Sequence, residues 1–226
     1  MKKALIIAGF LLGHQLANAQ QMVVRDPSIE QMVKQVSSDS LRSYTYQLVA
    51  FGTRHTMSSV TDQKRGIGAA RNWVLKKFNE FAANSNGRMT AFVDTTTLEP
   101  DGRRINKQVN LGNAMAILKG TDPADKRIFM ISGHIDSRVT NVMNAEAEAP
   151  GANDDGSGVA AVVEAARIIS RSSFPATIIF VAISGEEQGL LGAGYLAEKA
   201  KKENWQLEAL LNNDIMGSNN SNETNI

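Results

Sequence analysis

The sequence contains no cysteine. Disulfides are therefore excluded, and any metal site must be built from imidazole and carboxylate rather than thiolate. Histidine is scarce too, with three in 226 residues: His14, His55 and His134. Neither charge sign dominates, since 24 basic residues face 23 acidic ones. There is no basic stripe to suggest a nucleic-acid partner and no acidic tail. The N-terminal apolar run, Ala4 to Gly13, falls well short of a bilayer. No cysteine follows it to take a lipid, so no membrane anchor is expected.

What is present is ordinary globular composition, 42% hydrophobic and 21% charged, enough for one domain with a core. Lys2 and Lys3, the apolar run, and Ala17-Asn18-Ala19 together form a secretory signal peptide pattern. Residues 1–19 are expected to be cut off after Ala19, giving a secreted or periplasmic protein that begins at Gln20.

The rest alternates between helical and strand-like patterns. Pro27 to Ala50 is helical with a break at Ser37 to Ser40, and Ile29, Met32, Val33 and Val36 share one face. Phe51 to Arg54 is expected to turn, leaving His55 in solvent. Asp62 to Ala83 repeats its apolar residues as an amphipathic helix does. Met89 to Leu98 and Val109 to Leu118 read as an antiparallel edge pair. Ile128 to Ser132 and Thr177 to Ile183 are short continuous apolar runs, the pattern of strands buried on both faces. Helical periodicity begins at Gly156 and again at Gly189, and Leu207 to Leu211 is the last strand, read as central. This order predicts an α/β fold of three layers, with helices on both faces of a mixed, mainly parallel sheet. Ser137 to Pro150, which contains Glu146 and Glu148, reads as a mobile rim.

Four short pieces fall at strand ends or helix starts: S-G-H-I-D (132–136), G-A-N-D-D-G-S-G (151–158), G-E-E-Q-G-L-L-G (185–192) and N-N-D-I-M-G (212–217). In an open α/β sheet the functional groups gather at that edge. An isolated Asp154-Asp155 pair before a helix is best read as capping. His134 and Asp136, two apart on a loop, can share the work of binding a metal and holding the ring. Glu186 and Glu187 are adjacent acids after a buried strand, and they repel unless a cation or a proton lies between them. Asp214 follows the next strand in the same way. One imidazole and several carboxylates converging on one rim make a site for zinc, manganese or cobalt.

These motifs resemble those of the co-catalytic di-zinc aminopeptidases, the peptidase family that also holds glutamate carboxypeptidase and the animal glutaminyl cyclases. The resemblance lies in the ordered set, with intervals of 20, 33 and 27 residues between His134, Asp154, Glu187 and Asp214. It implies two Zn2+ ions and peptide substrates with a free amino terminus. His134 would bind one zinc with Asp214, and Asp154 would bridge both. Glu187 would bind the second, Glu186 would be the general base, and Asp136 would orient the His134 ring. Ile215 and Met216 either line an apolar substrate pocket or pack beneath the sheet. The family adds a last histidine well beyond the Asp214 position, so the resemblance makes residues 20–226 the N-terminal portion of a peptidase domain whose C-terminal part is missing. Two other functions share the fold: glutaminyl cyclisation, against which His134 with Asp136 argues, and ligand binding without catalysis.

Overall fold

The structure, a computed structural model, describes residues 25–217, which fall into two units divided between Lys34 and Gln35. The expected signal peptide and the polar end beyond Gly217 lie outside the described residues. In the first unit the described element is helix α1, Pro27–Lys34, which buries none of its residues.

The second unit is built on a five-stranded sheet. Its strands are β1 (Met89–Leu98), β2 (Val109–Leu118), β3 (Arg127–His134), β4 (Thr177–Ile183) and β5 (Gln206–Asn212), in the spatial order β1-β2-β4-β3-β5. β1 pairs antiparallel with β2, and β2 antiparallel with β4, while β4, β3 and β5 are mutually parallel. The sheet is mixed, and its parallel strands are the ones that lead into the motifs. β1 and β2 form the expected antiparallel pair at one edge of the sheet, and β2 joins it to β4.

The period-2 alternation of strand side chains divides the core in two. Ala114, Ala116, Phe180 and Ala182 face helices α2 (Ser38–Ala50), α3 (Gly66–Ala82) and α4 (Gly158–Ile169), which bring Leu48, Val74, Phe78, Val159 and Val163. Met115, Met130, Ile179 and Val181 face the opposite way, onto Leu196 of α5 (Leu191–Lys202). Helices therefore cover both faces, as the alternating pattern required. β4 is buried along all but its first residue.

β5 departs from expectation. Among the described residues it is an edge strand, with Leu207, Leu210 and Leu211 exposed. An apolar run signals a strand, but coverage depends on what packs against it, which a local pattern does not carry.

Two glycines let the site approach the sheet. A Cβ on Gly133, near the end of β3, would stand 2.8 Å from the backbone of Gly158, at the start of α4. One on Gly158 would collide with the Asn213 carbonyl and the Asp155 carboxylate. The bare backbones let the end of β3, the head of α4 and the loop after β5 meet.

Candidate metal centre

Because β3, β4 and β5 run parallel, their carboxyl ends open onto one rim. β3 delivers His134, the turn after β4 delivers Glu186 and Glu187, and the turn after β5 delivers Asp214. Asp154 and Asp155 lie at a kink with non-helical backbone angles in the segment Ala152–Ser157 leading into α4, and their peptide bond is cis.

His134 is buried, and its ring is the centre of the cluster. Nε2 lies 2.9 Å from Asp154 Oδ1 and 3.8 Å from Asp214 Oδ1. One donor atom from each of these residues falls within 4.8 Å of the others. The two aspartates remain half exposed, so the donor set opens outward. Burial disfavours a proton on His134, but Asp136, Asp155 and Glu186 outweigh it and raise the ring to about 10. The rim thus demands positive charge, and a divalent cation held by one imidazole and two carboxylates satisfies it. This donor set fits zinc in the three-ligand, open form.

Asp136 is fully buried and lies against the His134 ring. The atom nearest His134 Nδ1 is the Asp136 backbone carbonyl, at 3.1 Å, whereas the carboxylate is 3.7 Å away, too far for a hydrogen bond. The carboxylate instead accepts the backbone N–H groups of Glu186 and Glu187, each at 3.1 Å. The main chain orients the ring, and the side chain holds the acidic pair.

That pair diverges. Burial raises the Glu186 carboxyl above its ordinary value; the His134 charge opposes this, while Asp136, Glu187 and Asp214 add to it. Glu187 is instead paired with Arg138, Nε to Oε2 at 2.6 Å, and its carbonyl accepts from Arg104 Nη1 at 2.7 Å. Glu187 is therefore not among the three clustered donors.

The capping role read for Asp155 is only part of what it does, and sequence reasoning passed over Arg54 and took His55 for a solvated residue. Asp155 turns inward, fully buried, and accepts from the N–H groups of His134 at 2.9 Å, Gly158 at 2.8 Å and Ile215 at 3.3 Å. Burial pushes its carboxyl up to about 7 against the His134 charge and those donors. Arg54 is fully buried and donates to the carbonyls of Ile135, Leu48, Pro150 and Gly151. His55, expected in solvent, is also fully buried, and its Nε2 reaches the Val142 carbonyl at 3.1 Å. The Thr-Arg-His-Thr run looks solvated because its polarity is local, while many of its partners lie about 80 or more residues away.

The expected mobile rim is tied down. Ala149 N–H donates to the Gly52 carbonyl, Ser137 Oγ donates to the Ala149 carbonyl, and Arg65 pairs with Glu148. Among the described residues, Ile215 and Met216 are exposed beside Asp214.

The pattern of peptidase family M28 matches residues 113–225, half of the chain. A protein of Pyricularia oryzae named probable zinc metalloprotease is 45% identical over 193 residues, covering 85% of this chain and 38% of that protein. Another of that description, from Leptosphaeria maculans, is 42% identical, covering 85% of this chain and 44% of its own length. The chain thus spans about two fifths of the length of these curated relatives. Among solved structures, LapB of Legionella pneumophila superposes with a TM-score of 0.66 at 19% identity, covering 85% of this chain and 47% of that one. A glutaminyl cyclase of Bacteroides thetaiotaomicron gives 0.64 at 20% identity, covering 83% and 64%. At such identities the structural likeness concerns the fold.

Proposed function

This chain belongs to peptidase family M28, and from that premise we propose that it carries the catalytic rim of a zinc-dependent aminopeptidase. The observation that carries the reading is the convergence of His134, Asp154 and Asp214 within 4.8 Å, with the Glu186 carboxyl beside them. The substrates are peptides with a free amino terminus, and the cleaved bond is the first.

His134, Asp154 and Asp214 would hold the first zinc, and Asp154 with Glu187 would contribute to a second. Bound zinc supplies Lewis acidity for the scissile carbonyl and for the attacking water. The chain's own residues do the proton work. Glu186 accepts a proton from the water at a carboxylate oxygen and returns it to the leaving amine. Its raised proton affinity, caused first by burial, suits a group that must both take and release that proton. Glu187 would serve as a ligand through its carboxylate, of which Oε2 is paired with Arg138. The described residues offer that second position Asp154 and Glu187 only, too few for a complete site, and the two-zinc assignment rests on the family resemblance.

The signal-peptide pattern of residues 1–19 supports action outside the cytoplasm. No helix among the described residues is long and apolar enough to cross a membrane. The exposed Ile215 and Met216, next to Asp214, support an apolar contact to the substrate side chain.

The deciding experiment assays aminoacyl arylamides and short peptides with the whole protein, with and without a chelator, and identifies products by mass. The aminopeptidase reading expects loss of one residue, chelator sensitivity, restoration by zinc, and a fall of ~10²-fold or more in Glu186→Ala. Loss of ammonia from an N-terminal glutamine would move the chain to the cyclase function. Cleavage indifferent to chelator would refute both.

A further inference from the structure

Four consecutive polar side chains, Thr53, Arg54, His55 and Thr56, are buried just outside the metal centre. Burial of polar groups is costly unless each finds a partner. The partners of Thr56 lead back to the chemistry. Its hydroxyl donates to Asp136 Oδ2 at 2.9 Å, and Gln188 Oε1, at 3.1 Å, is a second acceptor within reach of the same single proton. Asp136 Oδ1 accepts the N–H of Glu186, and Asp136 Oδ2 accepts that of Glu187. The Gln188 amide donates to the Val142 carbonyl at 2.9 Å. His55 Nδ1 accepts the Met57 N–H at 3.0 Å, so the neutral ring carries its proton on Nε2 and donates to the same Val142 carbonyl.

Residues 186 to 188 are thus gripped in succession. Asp136 holds the first two by their main chain, and the third is held by its own side chain. Thr56 touches both grips. The two N–H donors engage one carboxylate oxygen each. A third donor, approaching from a different residue, fixes its plane and with it the two peptide units.

We propose that Thr56 is a positioning residue whose hydroxyl, acting through Asp136, sets the orientation of the Glu186–Glu187 pair. It touches neither the ligand cluster nor the base directly. The inference rests on the reading of Glu186 as the base, because only then does the orientation of this turn govern rate. Small misplacement of a catalytic group can cost up to about 10²-fold in rate.

The test uses the whole zinc-loaded protein with Thr56→Val, which removes the hydroxyl at nearly constant shape, Thr56→Ser, which keeps it, and Glu186→Gln. Thr56→Val is expected to keep its zinc and its KM within about twofold, while kcat falls ~10- to 100-fold. Thr56→Ser should recover to within about threefold of the parent. Independently of activity, hydrogen exchange at the amides of Glu186 and Glu187 should accelerate about tenfold or more in Thr56→Val, with β4 unchanged. If the valine prevents folding, Thr56→Ala takes its place in both measurements. Unchanged exchange at those amides, an unchanged kcat, or a serine variant as damaged as the valine would overturn the proposal. Full activity in Glu186→Gln would instead refute the base assignment, and the exchange measurement would still judge the hold of Thr56 on the turn.

Discussion

Asp155 accepts the backbone N–H of His134 at 2.9 Å, and its neighbour Asp154 faces the same residue's ring at the same distance. Adjacent carboxylates thus grip one histidine from two sides. One fixes its main chain from inside the fold, and the other meets its ring at the rim. A buried group that holds the main chain of a candidate ligand in this way positions it without replacing it.

Replacing Asp155 by alanine strands the N–H groups of His134, Gly158 and Ile215. The expected cost is about 3 kcal/mol of stability, since buried donors left unpaired lose their full desolvation energy. Zinc affinity should fall ~10- to 100-fold, as when second-shell partners are removed. Denaturant unfolding and zinc calorimetry on the same variant check the two effects separately.

Zinc should stabilise the fold. At 100 times the dissociation constant the gain is about 2.7 kcal/mol. A thermal scan with and without zinc should show a rise in Tm, and the rise should vanish in His134→Ala and in Asp214→Asn. Persistence of the shift in His134→Ala would place the ion elsewhere.

Arg54→Met should destabilise the second unit by about 3–5 kcal/mol. The guanidinium is fully buried and binds four backbone carbonyls around the site. Burial draws its pKa down to about 10, while the charges of Asp136, Asp155 and Asp154 oppose that fall. Removing the cation leaves both the carbonyls and the acids short of a partner. The midpoint of chemical unfolding measures the loss, and a midpoint near that of the parent would contradict it.

Glu164 sets an acid limit on stability. Burial raises its carboxyl, but the hydrogen bonds from Arg167 and from the Ser37 N–H, with the Arg167 charge, outweigh burial and leave it below the ordinary 4.5. A carboxyl depressed in the folded state contributes stability above its unfolded value and loses it as pH falls through the folded one. Unfolding midpoints should therefore drop on acidification from about pH 5 downward, and less steeply in Glu164→Gln. Equal slopes for the two proteins would remove Glu164 as the cause.

The elements were readable because their signals are local. Apolar residues at helical spacing placed α3 and α4, and the unbroken run Thr177–Ile183 placed β4 with the boundaries observed. The covered or open state of β5 was not readable, because an exposed strand and a buried one share the same apolar pattern.

The sequence alone determined which residues stand at the strand ends, and hence that His134, Asp154, Asp214, Glu186 and Glu187 share one rim: parallel strands must open on the same side. Only the tertiary structure decided what each acid does there. It turned Asp155 inward and Asp154 outward, set Asp136 on the Glu186 and Glu187 amides, paired Glu187 with Arg138, and buried Arg54, His55 and Thr56. Those roles depend on partners distant in the chain, and a hydrogen bond between residues far apart in sequence leaves no mark on the local pattern of either.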